Sequence, residues 1–255
     1  ESAFGPTNNC LGIGDVLRRR GHRVVFILEQ SFAGSLEEKG IEERLMRLTP
    51  EPEEEEVPGQ FWKDYIRETA PVFRTPTIEQ LEGFIAPTFQ ALVDGAKYVD
   101  ERLVEIIDEI QPDVLIEDNV VAFPALPASG RPWVRIVSCN PAEIRDRSGW
   151  EAFRDEYRRT HEEMHADFDA FCRERGAPAL PEMEFIHDSP WLNLYLYPEE
   201  VDYERSKPLG ASWANLEASV RATDVEWRVP AELADDGHPL LYLSLGPLAS
   251  GDAEL

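Results

Sequence analysis

Residues 8–28 read NNCLGIGDVLRRRGHRVVFIL, and two different patterns meet inside them. Leu11, Ile13, Val16 and Leu17 lie along one side of a helix, arginines fill its last turn, and Gly21 supplies a stop. The run that follows, RVVFIL, is apolar after its arginine and only strand-sized, which predicts a buried strand. SFAGSLEEKG then opens on Ser31 as an N-cap and closes on Gly40, predicting a short second helix. Helix, strand and helix in that order predict a parallel sheet.

The same alternation continues outward. TPEPEEEEVPG, residues 49–59, sets four glutamates between prolines and has no apolar surface to bury, so it reads as a solvated loop. From Ile78 to Ile110 the spacing is helical, most clearly in YVDERLVEIIDEI, and Pro112 marks its end. DVLIED and PWVRIVS are strands of a second β-α-β unit, with NVVAFPALPASG between them as helix or loop. A long helix spans SGWEAFRDEYRRTHEEMHADFDAFCRERG, with Ser148 as cap and Gly176 as stop, and WLNLYLYP and PLLYLSLG are later strands. The sum is an α/β chain with a Rossmann-like, doubly wound parallel sheet over residues 1–230. Residues 231–255 form a linker and the start of a second domain.

Composition narrows the partners. Acidic residues outnumber basic ones 50 to 25, and a net charge of −25 repels a phosphate backbone, so nucleic acid is excluded as a partner. The longest apolar runs are far shorter than the eighteen or so residues of a membrane helix, so no bilayer span is expected. Three cysteines without Cys-x-x-Cys spacing fit a reducing cytoplasm better than a disulfide framework.

One motif points elsewhere. His161-Glu162-Glu163-Met164-His165 spells H-E-x-x-H, whose two histidines one turn apart can reach a single zinc. A hydrolytic zinc also needs a third protein ligand and an open position, and no downstream His or Glu has a third-ligand pattern. On a helical projection His161 lies beside the apolar stripe of Trp150, Phe153, Tyr157, Met164, Phe168 and Phe171, with His165 at its margin. The motif therefore reads as the edge of an amphipathic helix, with no metal.

FGPTNNCLGIGDVLRRRGHRVVFILEQSFAGSLEEKG resembles the start of a GT-B glycosyltransferase of the UDP-glycosyltransferase and macrolide-glycosyltransferase superfamily, in which a glycine turn precedes a helix and an R-G-H-x-V lead-in precedes strand two. IQPDVLIEDNVVAFPAL, RPWVRIVSCNP, WLNLYLYPEEVD and HPLLYLSLGPLASGDAEL resemble further landmarks in the same order. The resemblance implies an N-terminal, acceptor-binding half of the GT-B fold. It also implies a first strand ahead of Glu1 and a nucleotide-sugar-binding domain after Leu255. The implied activity is inverting transfer of a sugar from a UDP- or dTDP-activated donor to a hydrophobic, natural-product-like acceptor. No cofactor beyond the nucleotide sugar is implied, and a homodimer is left open.

In this superfamily a histidine after the first strand acts as base and an aspartate at the end of a later strand orients it. The aspartate corresponds to Asp118 in LIEDN, where its alternative is to cap the following helix. The histidine position falls on Pro6, so the dyad is absent as written. Asp118 alone, a remote group, or a catalytically silent activator protein are the readings this leaves. Thr7, Asn8 and Asn9 fall where the first helix begins, a position that suits polar ligands or simple capping. Asn119, Phe123, Trp150 and Phe153 are candidates for the acceptor pocket, and Gly246 and Ser250 for the donor loop. His22 reads as a turn residue, and a dinucleotide-binding oxidoreductase is disfavoured because GPTNNCLGIG does not place G-x-G-x-x-G in register.

Overall fold

The computed structural model describes residues 4–51, 65, 67–138, 151–202, 205, 208–219 and 228–230. Helix α1 runs Phe4–Arg19, with Pro6 in its first turn, where the missing N–H has no intrahelical acceptor to lose. It ends as the arginine run and glycine predict. The His22 N–H reaches the Leu17 carbonyl (3.2 Å) and the Gly21 N–H that of Arg18 (2.9 Å), a Schellman pair that needs the positive φ of 91° at Gly21. His22 thus belongs to a turn.

Strand β1, Val25–Glu29, follows and pairs in parallel with β2, Glu42–Met46, in the register Val25↔Glu42. The second helix predicted over SFAGSLEEKG is instead two single 3-10 turns, Gln30–Phe32 and Glu37–Lys39. Ser31 does not cap: the Glu29 carboxylate accepts the Ser31 N–H at 2.8 Å. The length is too short for more, because β2 starts three residues after Lys39. Leu36, Phe32 and Ile41 bury their side chains with Leu11, Phe26 and Leu28 in a small core under α1.

The larger core gathers around α2, Ala86–Ile110, which enters through a π-helical turn at Leu81–Ile85. Val93, Ala96, Val99, Leu103, Ile106 and Ile107 repeat at steps of three and four and are buried. The helix closes on Gln111 in the left-handed region just before Pro112. Then come β3 (Leu115–Asp118), the short α3 (Ala125–Ala128), β4 (Trp133–Val137), the long α4 (Glu151–Glu174), β5 (Leu192–Tyr195) and β6 (Trp213–Asn215). These four strands form a parallel sheet in the order β3-β4-β5-β6. Strands β2 and β6 were not anticipated, since EERLM is mostly charged and WAN is three residues long.

Among the described residues β1 and β3 have no further strand beside them, and both line a cavity of about 650 Å³ running from Pro6 and Asp118 at one end to His22 and Pro112 at the other. Helix α1 forms another wall through Ile13 and Leu17. Most of the loop 49–59, the PLLYLSLG strand, Ser148 and the expected domain change at residue 231 lie outside the described residues.

One ion pair ties the large core together. Asp100 of α2, 1% exposed, accepts the Ala125 N–H that opens α3 (3.1 Å) and Arg175 Nε just beyond α4 (2.5 Å). Removing only the cation strands a carboxylate among apolar groups. Arg175→Met is expected to cost about 3 kcal/mol in urea unfolding at neutral pH. Adding Asp100→Asn, which keeps an acceptor for Ala125, should recover part of that loss.

Candidate active site

In a parallel sheet the carboxyl ends of all strands share one edge, and loops there build the site. Asp118 is the last residue of β3 and is 8% exposed. The register Asp118↔Ile136 places Ser138 two residues further along β4, on the same face. Ser138 Oγ donates to Asp118 Oδ1 at 2.8 Å, and Asn9 Nδ2 on α1 donates to Oδ2 at 3.3 Å. Each carboxylate oxygen therefore has a donor. Asn9 is held in turn: its backbone carbonyl accepts Ser219 Oγ at 2.7 Å, from the segment after β6.

Two neighbours show how dry this corner is. Burial, and then the Asp118 charge, push the Cys10 thiol up to about 12, so it stays protonated and is no nucleophile. Glu117 is 6% exposed, and burial raises its carboxyl to about 7 against the downward pull of the Asn119 hydrogen bond and the Arg135 charge. Asn119 Nδ2 donates to Glu117 Oε2 at 3.1 Å. Arg135, opposite Glu117 on β4, meets Asp188 at 2.8 Å.

The predicted residues divide accordingly. Asp118, Asn119, Thr7, Pro6 and Phe123 line the space between the two sheets, and Phe123 is also part of the core at 5% exposure. Asn8 and Asn9 do not open the helix, because α1 starts at Phe4 and both lie in its second turn. Their N–H groups are therefore directed into the helical ladder, and the Asn9 side chain contacts Asp118. Phe153, half-buried on the first turn of α4, is not on the cavity wall. Trp150, Gly246 and Ser250 lie outside the described residues. The capping role weighed for Asp118 belongs to Asp100, which holds the first N–H of α3.

The H-E-x-x-H pair points two ways. His161 is fully buried, in the apolar stripe and not beside it. Its ring stacks on Tyr157 at 4.0 Å and meets Phe89 and Phe185 edge-on, and burial holds the imidazole below its ordinary range. His165 Nε2 donates to the Pro181 carbonyl at 2.9 Å. Among the described residues no three His, Cys, Asp or Glu side chains are grouped to hold a metal ion.

This architecture recurs in solved structures. The glycotransferase of kitacinnamycin matches 89% of this chain with 52% of its own, at 20% identity and a TM-score of 0.53. The calicheamicin glycosyltransferase CalG4 matches 86% with 50% of its own, at 17% identity and a TM-score of 0.50. The chain has the fold of one half of a GT-B glycosyltransferase. It spans about half the length of the structures it matches. No protein-family model matches the sequence, and no curated protein does. Among the described residues no helix is long and apolar enough to cross a membrane.

The Glu117 environment fixes a pH dependence. Its folded value of about 7 lies above the unbiased 4.5, so between the two the folded state holds a proton that the unfolded state releases. Its contribution is therefore fully present below about 4.5 and lost as pH rises through 7. Glu117→Gln should stabilise the protein relative to wild type increasingly from pH 5 to pH 8, approaching roughly 3 kcal/mol. Urea midpoints across that range would show it, and a pH-independent difference would refute the assignment.

Proposed function

We propose that this chain is the acceptor-binding half of a metal-independent, inverting glycosyltransferase. The donor is a UDP- or dTDP-activated sugar, the acceptor a hydrophobic small molecule, and the setting the cytoplasm. The reading rests on Asp118: a buried carboxylate at the carboxyl end of a parallel strand, held by Ser138 and Asn9. Inverting transfer needs an acceptor hydroxyl deprotonated as it attacks the anomeric carbon, and Asp118 is the group that takes the proton. The nucleotide-binding domain would supply the charge stabilisation for the departing diphosphate.

Pro6 supports a second reading, a silent binding or activator protein that has this fold without the imidazole. Calorimetric titration of the intact protein with UDP and dTDP, followed by sugar-nucleotide turnover assays, separates the two. A transferase binds one nucleotide, turns over its sugar, and loses on the order of 10²-fold or more in Asp118→Asn. Binding without turnover leaves the silent protein.

A further inference from the structure

The segment after β6 turns back over the end of β5 toward α1, and hydrogen bonds fix it along the way. Its Leu216 N–H donates to the Tyr195 carbonyl that ends β5 (2.9 Å). Asn215 Oδ1 accepts the Glu217 N–H at 2.7 Å, and Asn215 Nδ2 donates to the Tyr197 carbonyl at 3.0 Å. The Ala218 N–H returns to the Leu216 carbonyl at 2.7 Å. Glu217 sits at a φ of 60°, in the left-handed region that a residue with a Cβ keeps only when its surroundings hold it there. This turn delivers Ser219, half-buried, whose Oγ donates to the Asn9 carbonyl on α1 at 2.7 Å.

Asn9 has use for such a hold. It lies in the second turn of α1, and helix ends fray. A helical carbonyl accepts one N–H from the next turn and has a second lone pair, which at Asn9 takes the Ser219 hydroxyl. The Asn9 amide meanwhile donates to Asp118 Oδ2 at 3.3 Å, at the long end of the range for such bonds, so a small displacement of α1 breaks it. With the Asn9 backbone fixed by Ser219, only the Asn9 side-chain torsions remain between that hydroxyl and the carboxylate.

Building on the transferase reading, we propose that Ser219 is a positioning residue for sugar transfer: through the Asn9 carbonyl it aims the Asn9 amide at Asp118, and so sets the direction of the carboxylate toward the hydroxyl it activates. Ser219 acts on geometry and not on the reacting atoms. The turn 215–219 is then part of the site, although it belongs to the strand farthest from β3 in the sheet.

The intact protein is assayed for glucose release from UDP-glucose and dTDP-glucose as wild type, Ser219→Ala, Ser219→Thr, Asn9→Ala and the double variant Ser219→Ala with Asn9→Ala. Ser219→Ala is expected to lower kcat about 10-fold with the KM for the nucleotide sugar unchanged, because a misaimed group costs rate and not donor binding. Ser219→Thr, which keeps the hydroxyl, should recover most of that loss. In the Asn9→Ala background the effect of Ser219→Ala should vanish, since the two act in series. A Ser219 that only fastened the turn would add its loss to that of Asn9→Ala, or would lower the urea midpoint in step with the rate, and either result would overturn the proposal. Wild-type kcat in Ser219→Ala would also overturn it, with the transferase reading left standing. Turnover of neither nucleotide sugar by the wild type would remove the transferase reading, and this inference with it.

Discussion

Because β3, β4, β5 and β6 pair in parallel, no two of them can be joined by a tight turn, and each connection must recross the sheet. That constraint spends α3 and α4 on crossovers and sets the carboxyl ends of four strands along one edge. The side chain that ends β3 and the one that follows β4 therefore become neighbours 20 positions apart, as Asp118 and Ser138 are. Helix α1 reaches the same edge with its first turns, which carries Asn9 to the other carboxylate oxygen. The site is a consequence of strand direction before it is a consequence of any single residue.

Crossing helices must be held as well as placed, and several of the fixings are polar groups buried where apolar ones would pack. Asp100 joins α2 to the start of α3 and the end of α4. Asn193, fully buried on β5, accepts the Ser189 N–H and donates to the Ser189 carbonyl, both at 2.8 Å, while Ser189 Oγ bonds the Trp133 carbonyl on β4. These bonds lock the approach to β5 against its neighbour. His161 differs: its Nε2 is buried without a hydrogen-bond partner, and its place in α4 rests on ring contacts together with the bonds of Nδ1 to the Tyr157 carbonyl (3.1 Å) and Thr160 Oγ1 (2.7 Å). Phe89, Tyr157 and Phe185 give the imidazole the packing of a core side chain, which is why a sequence that spells a metal motif folds as a hydrophobic stripe.

Much of this was readable from the chain. Periodicity found α1, α2 and α4, and apolar runs found β1, β3, β4 and β5, because those segments bury whole faces. Gly21 and Pro112 marked helix ends through backbone geometry alone. The two 3-10 turns after β1 were misread because a cap-like serine and a terminal glycine bound a segment too short for a helix. Strand β2 was unseen because Glu42, Glu43 and Arg44 spend their charges on local partners, among them Arg23 and the Gly34 and Leu36 amides. At the site, Asp118 was legible from its place at a strand end. Ser138 was not named, although the parallel pairing that was predicted already implied it. Asn9 was read as a helix-opening residue, for capping or ligand contact, because α1 was started too late.

The cost of burying Asp118 bears on which functional reading fits the molecule. A carboxylate at 8% exposure loses hydration, and a well-packed apolar side chain would sit there at no such cost. A structural carboxylate in this fold holds a helix end or answers a cation, as Asp100 does with Ala125 and Arg175. Asn9 and Ser138 fix the direction of the two Asp118 oxygens at the carboxyl end of a strand, where an open parallel sheet presents chemistry. Such costly arrangements cluster at functional sites. That cost is what favours the proposed transferase over a silent scaffold.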